Sequence, residues 1–185
     1  MRRIVIGQGS LIICCILYLI WWCRGYRPGV NASRLGGING VLLLATAAFG
    51  IAGIALSLMP LPLTAAPKLR PTVILIAGIA GYLALVLITR FAFHRVVTTE
   101  LFLIVGWTIL EMTVISRLNA FGGLSGTGFA VMCAVIAAAF VLSIVLYVAY
   151  YRMEETKAFY LAMVPLITEA LAMAVLVGML LSKGL

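Results

Sequence analysis

Six runs of about 20 predominantly apolar residues, joined by short polar or proline- and glycine-rich connections, constrain this chain more than any other feature. Wound as a helix, a run of that length matches the hydrocarbon thickness of a bilayer. Lipid offers the backbone no hydrogen-bond partner, so a spanning segment must be a helix or a strand of a closed barrel. None of the runs alternates with the period of two that a lipid-facing strand requires. The sequence therefore predicts an all-α fold, a polytopic integral membrane bundle of six transmembrane helices. The expected spans cover residues 4–23, 38–59, 72–93, 99–118, 127–151 and 158–181, within a single membrane domain over 1–185.

Composition agrees with that reading and removes other classes. Hydrophobic residues make up 65% of the chain and charged residues only 10%, whereas soluble domains run to about 25% charged. The net charge of +8 raises the question of a nucleic-acid partner. The Lys and Arg residues, however, are scattered singly between apolar runs and build no basic face, so they read as interfacial anchors and no nucleic acid is expected. Six of them fall on the side of the termini and seven on the other, which gives no positive-inside bias. The chain has no aspartate and one histidine, His94, which is read as a solvated interfacial residue. A metal site built from His and Asp is thereby excluded, and no metal, cofactor or catalytic residue is assigned. Cys14, Cys15, Cys23 and Cys133 show no Cys-x-x-Cys spacing and are expected to serve as small buried apolar residues.

Along the chain, Met1-Arg2-Arg3 opens an apolar run too long for a signal-peptide core, with no Ala-x-Ala site after it, and a retained first span is expected. Tyr18, Trp21, Trp22 and Tyr26 gather at its far end with Arg24 and Arg27, as at a membrane–water boundary. The second span carries Ala47, Ala48, Gly50, Ala52 and Gly53, small residues that let helix backbones approach closely. Pro60, Pro62, Pro67 and Pro71 mark a stiff, extended connection to the third span. The fifth span has an alanine-rich centre at Ala134 and Ala137 to Ala139.

Gly123-Leu124-Ser125-Gly126 resembles the Gly-x-Ser-Gly of rhomboid intramembrane proteases, which also have six spans. In that family the serine relies on a histidine from a later span. His94 precedes Ser125 and no histidine follows it, so the tetrad is read as a helix-start turn. The segments Gly36–Gly40 and Gly122–Gly126 both precede a small-residue span. They suggest a 3+3 inverted repeat of the kind found in many transporters.

Two acids inside apolar spans carry the functional expectation. Glu111 lies well within the fourth span, with Trp107 and Thr108 about a turn before it. Glu169 lies near the middle of the sixth, with Thr168 beside it and Pro165 one turn earlier. Measured from the same side, their depths agree to within about 6 Å. A charge at mid-membrane costs roughly 2.5–3.5 kcal/mol on insertion scales. Keeping a glutamic acid neutral at pH 7, against an ordinary value near 4.3, costs about 3.7 kcal/mol. Either cost, met twice, is comparable with the roughly 5–15 kcal/mol that stabilises a small protein, so a compensating partner or a water-filled cavity is expected.

The expected function is a small multi-pass transporter or channel for an ion or small solute in the cell membrane. Its proton, cation or substrate site would be formed by Glu111, Glu169, Thr108, Thr168, Pro165 and Trp107. The alternative is a non-catalytic integral subunit or assembly factor of a larger membrane complex. In that case the small-residue faces would bind partner membrane subunits or a second copy of the chain.

Overall fold

The computed structural model describes residues 1–29, 36–59, 70–92, 99–150 and 152–182. His94, the proline tract from Pro60 to Pro67, and Lys68 and Lys183 lie outside the described residues. Every regular element among the described residues is helical: α1 (Arg2–Gly25), α2 (Ile38–Leu58), α3 (Pro71–Leu87), a π-helical turn (Ile88–Ala92), α4 (Thr99–Ala120), α5 (Gly126–Tyr150), α6 (Glu155–Leu161) and α7 (Val164–Leu181). Among the described residues six helical stretches are long and apolar enough to cross a membrane, α3 being extended by its π turn and α6 with α7 making the sixth. The chain is an all-helical integral membrane protein.

The sixth span is not the single helix expected over 158–181. It begins three residues earlier, at Glu155, and breaks at Ala162–Met163. Proline explains the break: Pro165 has no N–H to give the Leu161 carbonyl, and its ring would clash there. Met163 donates instead to Tyr160, at 3.2 Å, and the helix restarts with Pro165 in its first turn, where a missing N–H is harmless.

The helices form two compact units. One comprises Met1–Pro62 with Val148–Leu185, the other Leu63–Tyr147. These are not the successive halves that a 3+3 inverted repeat would make. The glycine-rich segments differ in local structure as well. Gly37 has φ 57 and directly precedes α2, whereas Gly122 has φ 70 and ends α4. Asn39 lies inside α2, while its counterpart Ser125 stands outside α5 as its N-cap. The repeat is not shown.

The first unit is built on a close crossing of α1 and α2. Contacts pair Gly7 with Ser57, Leu11 with Gly53, Cys14 with Gly50, and Arg24 with Asn39, so the helices run antiparallel. A Cβ placed on Gly7 would lie 2.7 Å from the Ser57 backbone nitrogen and 3.0 Å from the Gly53 carbonyl oxygen. The seam of α2 is small and polar, with Asn39, Thr46, Gly53 and Ser57 buried, while Leu44, Ile51 and Ile54 are exposed. Lipid is as apolar as leucine and gives no hydrophobic drive between helices, so close van der Waals approach takes over. Of the small residues expected at this contact, Gly50 and Gly53 serve it; Ala47, Ala48 and Ala52 are exposed.

α1 also lies against α7. Trp21, Trp22 and Phe159 form the buried centre of a cluster with Tyr18, Tyr26 and Met163 around it. Trp22 stacks on Tyr26 at 4.3 Å, and its indole Nε1 donates to the Phe159 carbonyl at 3.4 Å. That carbonyl is the one Met163 would take in an unbroken helix, so the break and the aromatic cluster are linked. The cysteine expectation is corrected here. Only Cys15 is buried; Cys14 and Cys133 are intermediate, and Cys23 is exposed with its sulfur 3.4 Å from Met163 Sδ.

In the second unit α3 packs on α4, with Gly78 beneath Ile109 and Tyr82 edge-on to Phe102 at 5.9 Å. α4 ends in a left-handed glycine turn. The Gly123 N–H reaches the Leu118 carbonyl at 2.8 Å, and Gly122 reaches Asn119 at 3.1 Å. Gly122 supplies the positive φ this motif needs without a Cβ penalty. Ser125 Oγ then accepts from the Gly128 N–H at 3.0 Å and starts α5. The serine of the Gly-x-Ser-Gly tetrad is thus a helix cap.

Candidate functional site

The six residues expected at one site divide three and three between the units. Trp107, Thr108 and Glu111 lie on α4 in the second; Pro165, Thr168 and Glu169 lie at the start of α7 in the first.

On α4 the buried residues Leu101, Ile104, Glu111, Ile115 and Leu118 recur at helical spacing and mark one seam. Glu111 sits in the middle of that apolar seam and is only 1% exposed. Trp107 is one turn earlier on the same side, half-buried. Its indole Nε1 is sealed from solvent and makes no hydrogen bond among the described residues. Thr108 donates its hydroxyl to the Ile104 carbonyl at 2.9 Å, which leaves only the oxygen lone pairs for anything else. Glu100, at the start of the helix, is half-buried.

On α7 the order is a helix break, then Pro165, then Thr168, then Glu169. Thr168 donates to the Pro165 carbonyl at 2.8 Å, so this hydroxyl too is turned onto its own backbone. Glu169 is 6% exposed and heads a buried stripe that continues through Ala172, Met173, Leu176 and Leu180. The Cys23–Met163 contact sets the register of α7 on α1.

Both acids are therefore buried in apolar spans, and each has a threonine close by whose oxygen can accept but whose proton is already used. Carboxyl and hydroxyl oxygens of this kind suit a proton or a hard cation. Among the described residues no group of three or more His, Cys, Asp or Glu is placed to hold a metal ion.

A second set of buried polar groups carries no ionisable side chain that would mark it in the sequence. Gln8 is fully buried on α1 and donates to Ser57 Oγ at 3.4 Å, beside the Gly7–Gly53 crossing. Asn39 is 5% exposed and accepts from Arg24 Nε at 3.1 Å. Ser143, fully buried on α5, has a hydroxyl with no hydrogen bond among the described residues. The signal for Gln8 and Ser57 was present in the chain: each stands one to four residues from a glycine inside an apolar run. A search of protein-family models, of curated proteins and of solved structures finds no match to this chain.

Proposed function

We propose that this protein is a transporter or channel of the cell membrane for an ion or small solute, with Glu111 and Glu169 as its proton- or cation-binding groups. The observation that carries the reading is the burial of both glutamates, 1% and 6% exposed, inside spans of high hydropathy. A glutamate at that depth carries a cost that leucine or glutamine of similar volume would not. A group retained against that cost, and able to gain and lose a proton, is suited to coupling movement of one species to another. The unspent hydrogen-bonding capacity of Trp107 Nε1 and Ser143 Oγ in the second unit is consistent with a visiting water or polar solute.

The test is a flux assay on the full chain reconstituted in liposomes, with a panel of ions and small metabolites at two pH values. Glu111→Gln and Glu169→Gln each bring pH- or ion-dependent flux down to the background of empty liposomes. If the double variant keeps every such flux of the unaltered protein, the reading is lost.

A second reading, a subunit of a larger membrane complex, rests on α3. This helix buries only Ile74 and leaves Ala77, Ala80, Gly81 and Ala84 exposed. A face of small residues admits a partner helix closely. Obligatory co-purification of another membrane chain, lost when Gly81 is made bulky, would favour it over transport by this chain alone.

A further inference from the structure

We propose that the aromatic end of the first unit holds the phosphate of an anionic phospholipid headgroup, bound chiefly by Arg24. This inference is independent of the transport reading. The block of Trp22 stacked between Tyr26 and Phe159, at 4.3 and 6.3 Å, is a rigid aromatic shelf where α1 ends and α6 begins. Trp and Tyr at the end of a span belong at headgroup level. Arg24 is two residues beyond Trp22 along α1, and Lys157 is two residues before Phe159 along α6. Because Trp22 and Phe159 meet, the two cations stand at one level, a step further out than the shelf. Both are exposed, as are Arg27 and Arg152 close by in sequence.

What separates Arg24 from an ordinary anchoring arginine is how it is held. Its Nε donates to Asn39 Oδ1 at 3.1 Å, and Asn39 is itself 5% exposed in the first turn of α2. A side chain that only snorkels to the surface needs no such partner. Anchored through Nε, the guanidinium presents both terminal nitrogens on its other edges, and that fork matches two oxygens of a phosphodiester. Lys157 adds charge but shares it with Glu154, 3.3 Å away. Glu155, also exposed, opposes a dianion more than a monoanion, so a singly charged headgroup on a two-chain lipid is the fitting ligand. Its glycerol and first methylenes would lie along the aromatic shelf.

The experiment purifies the full chain in nanodiscs of mixed phosphatidylglycerol and phosphatidylcholine and counts retained lipid by native mass spectrometry. The unaltered protein is expected to retain phosphatidylglycerol over phosphatidylcholine, and Arg24→Gln to lower that preference roughly fivefold, the effect of about one interfacial charge. Arg3→Gln, at the other end of α1, leaves it unchanged. Asn39→Ala, which keeps every charge, lowers it as well, and Lys157→Gln, exposed near the start of α6, lowers it less than Arg24→Gln. Millimolar inorganic phosphate does not displace the lipid. Equal losses from Arg24→Gln and Arg3→Gln would reduce the site to diffuse surface charge and overturn the proposal, as would no loss from Arg24→Gln or Lys157→Gln. Displacement by inorganic phosphate would replace the lipid with a free anion as the ligand and overturn it too.

Discussion

Glu111 lies in a helix of 22 residues that runs without a break from Thr99 to Ala120, whereas Glu169 follows an interruption that Pro165 imposes at Ala162–Met163. In α4 the backbone spends its hydrogen bonds on itself, so anything that compensates the Glu111 carboxyl must come from side chains, water or a bound solute. At α7 the break leaves the Leu161 carbonyl without its helical donor, a polar backbone atom two turns from the acid. The units that carry the two acids differ in the same direction. The first is fastened by a backbone-to-backbone crossing at Gly7 and Gly53 and by the Trp22 cluster. The second contains α3, most of which is bare. A buried acid therefore does not demand one kind of surrounding: one is set in a regular helix, the other beside a deliberate irregularity.

Substitutions can break or sharpen this contrast. The largest effect is expected from Pro165→Ala. Restoring the N–H lets α6 and α7 join, with a gain of up to about 3 kcal/mol in helix energy. Hydrogen exchange should show new protection around residues 162–167 and none in α4. If exchange there is unchanged, the proline does not cause the break and the comparison fails. A somewhat smaller effect of opposite sign is expected from Gly53→Val, because a Cβ there would lie 2.6 Å from Leu11 Cγ and 3.0 Å from the Gly7 carbonyl oxygen. Overpacking of this kind costs about 1–3 kcal/mol, read as a lower thermal midpoint in detergent. Its counterpart in the second unit, Gly81→Ala, meets nothing within 4 Å and should raise the midpoint by the helix preference of alanine, about 1 kcal/mol at most. A similar response to both would show that the close crossing does not hold the first unit. The smallest loss, about 1 kcal/mol, is expected from Ser125→Ala, which removes the cap of α5 in the second unit and leaves the first untouched.

Much of the architecture was legible before any coordinate. The number of spans and their limits to within a few residues follow from run length, because a lipid-exposed backbone has no alternative to the helix. The gathering of Tyr18, Trp21, Trp22 and Tyr26 at one end of α1 was legible from their spacing, and so was the turn at Gly122–Gly126. The break at Ala162 was half legible: Pro165 announced a lost hydrogen bond, but whether a helix bends or stops depends on what else takes the freed groups. Here Trp22, on a helix distant in sequence, takes one of them. The inverted repeat is not shown: similar glycine segments take up different positive-φ positions and their neighbours different roles.

The functional residues divide along the same line. Apolar length and the presence of glutamates within it were set by composition and order alone, and these determined that the chain lives in a membrane and where its costly groups lie. Which small residues form seams was decided only in the folded protein. Gly53 is buried while Ala52 beside it is exposed, because helix packing depends on which side of a cylinder meets a neighbour, and an almost uniformly apolar helix carries little pattern to say so. Glycine neighbours mark Gln8 and Ser57 singly in the chain, but their pairing, like the Arg24–Asn39 bond, joins residues that become neighbours only when α2 folds back along α1.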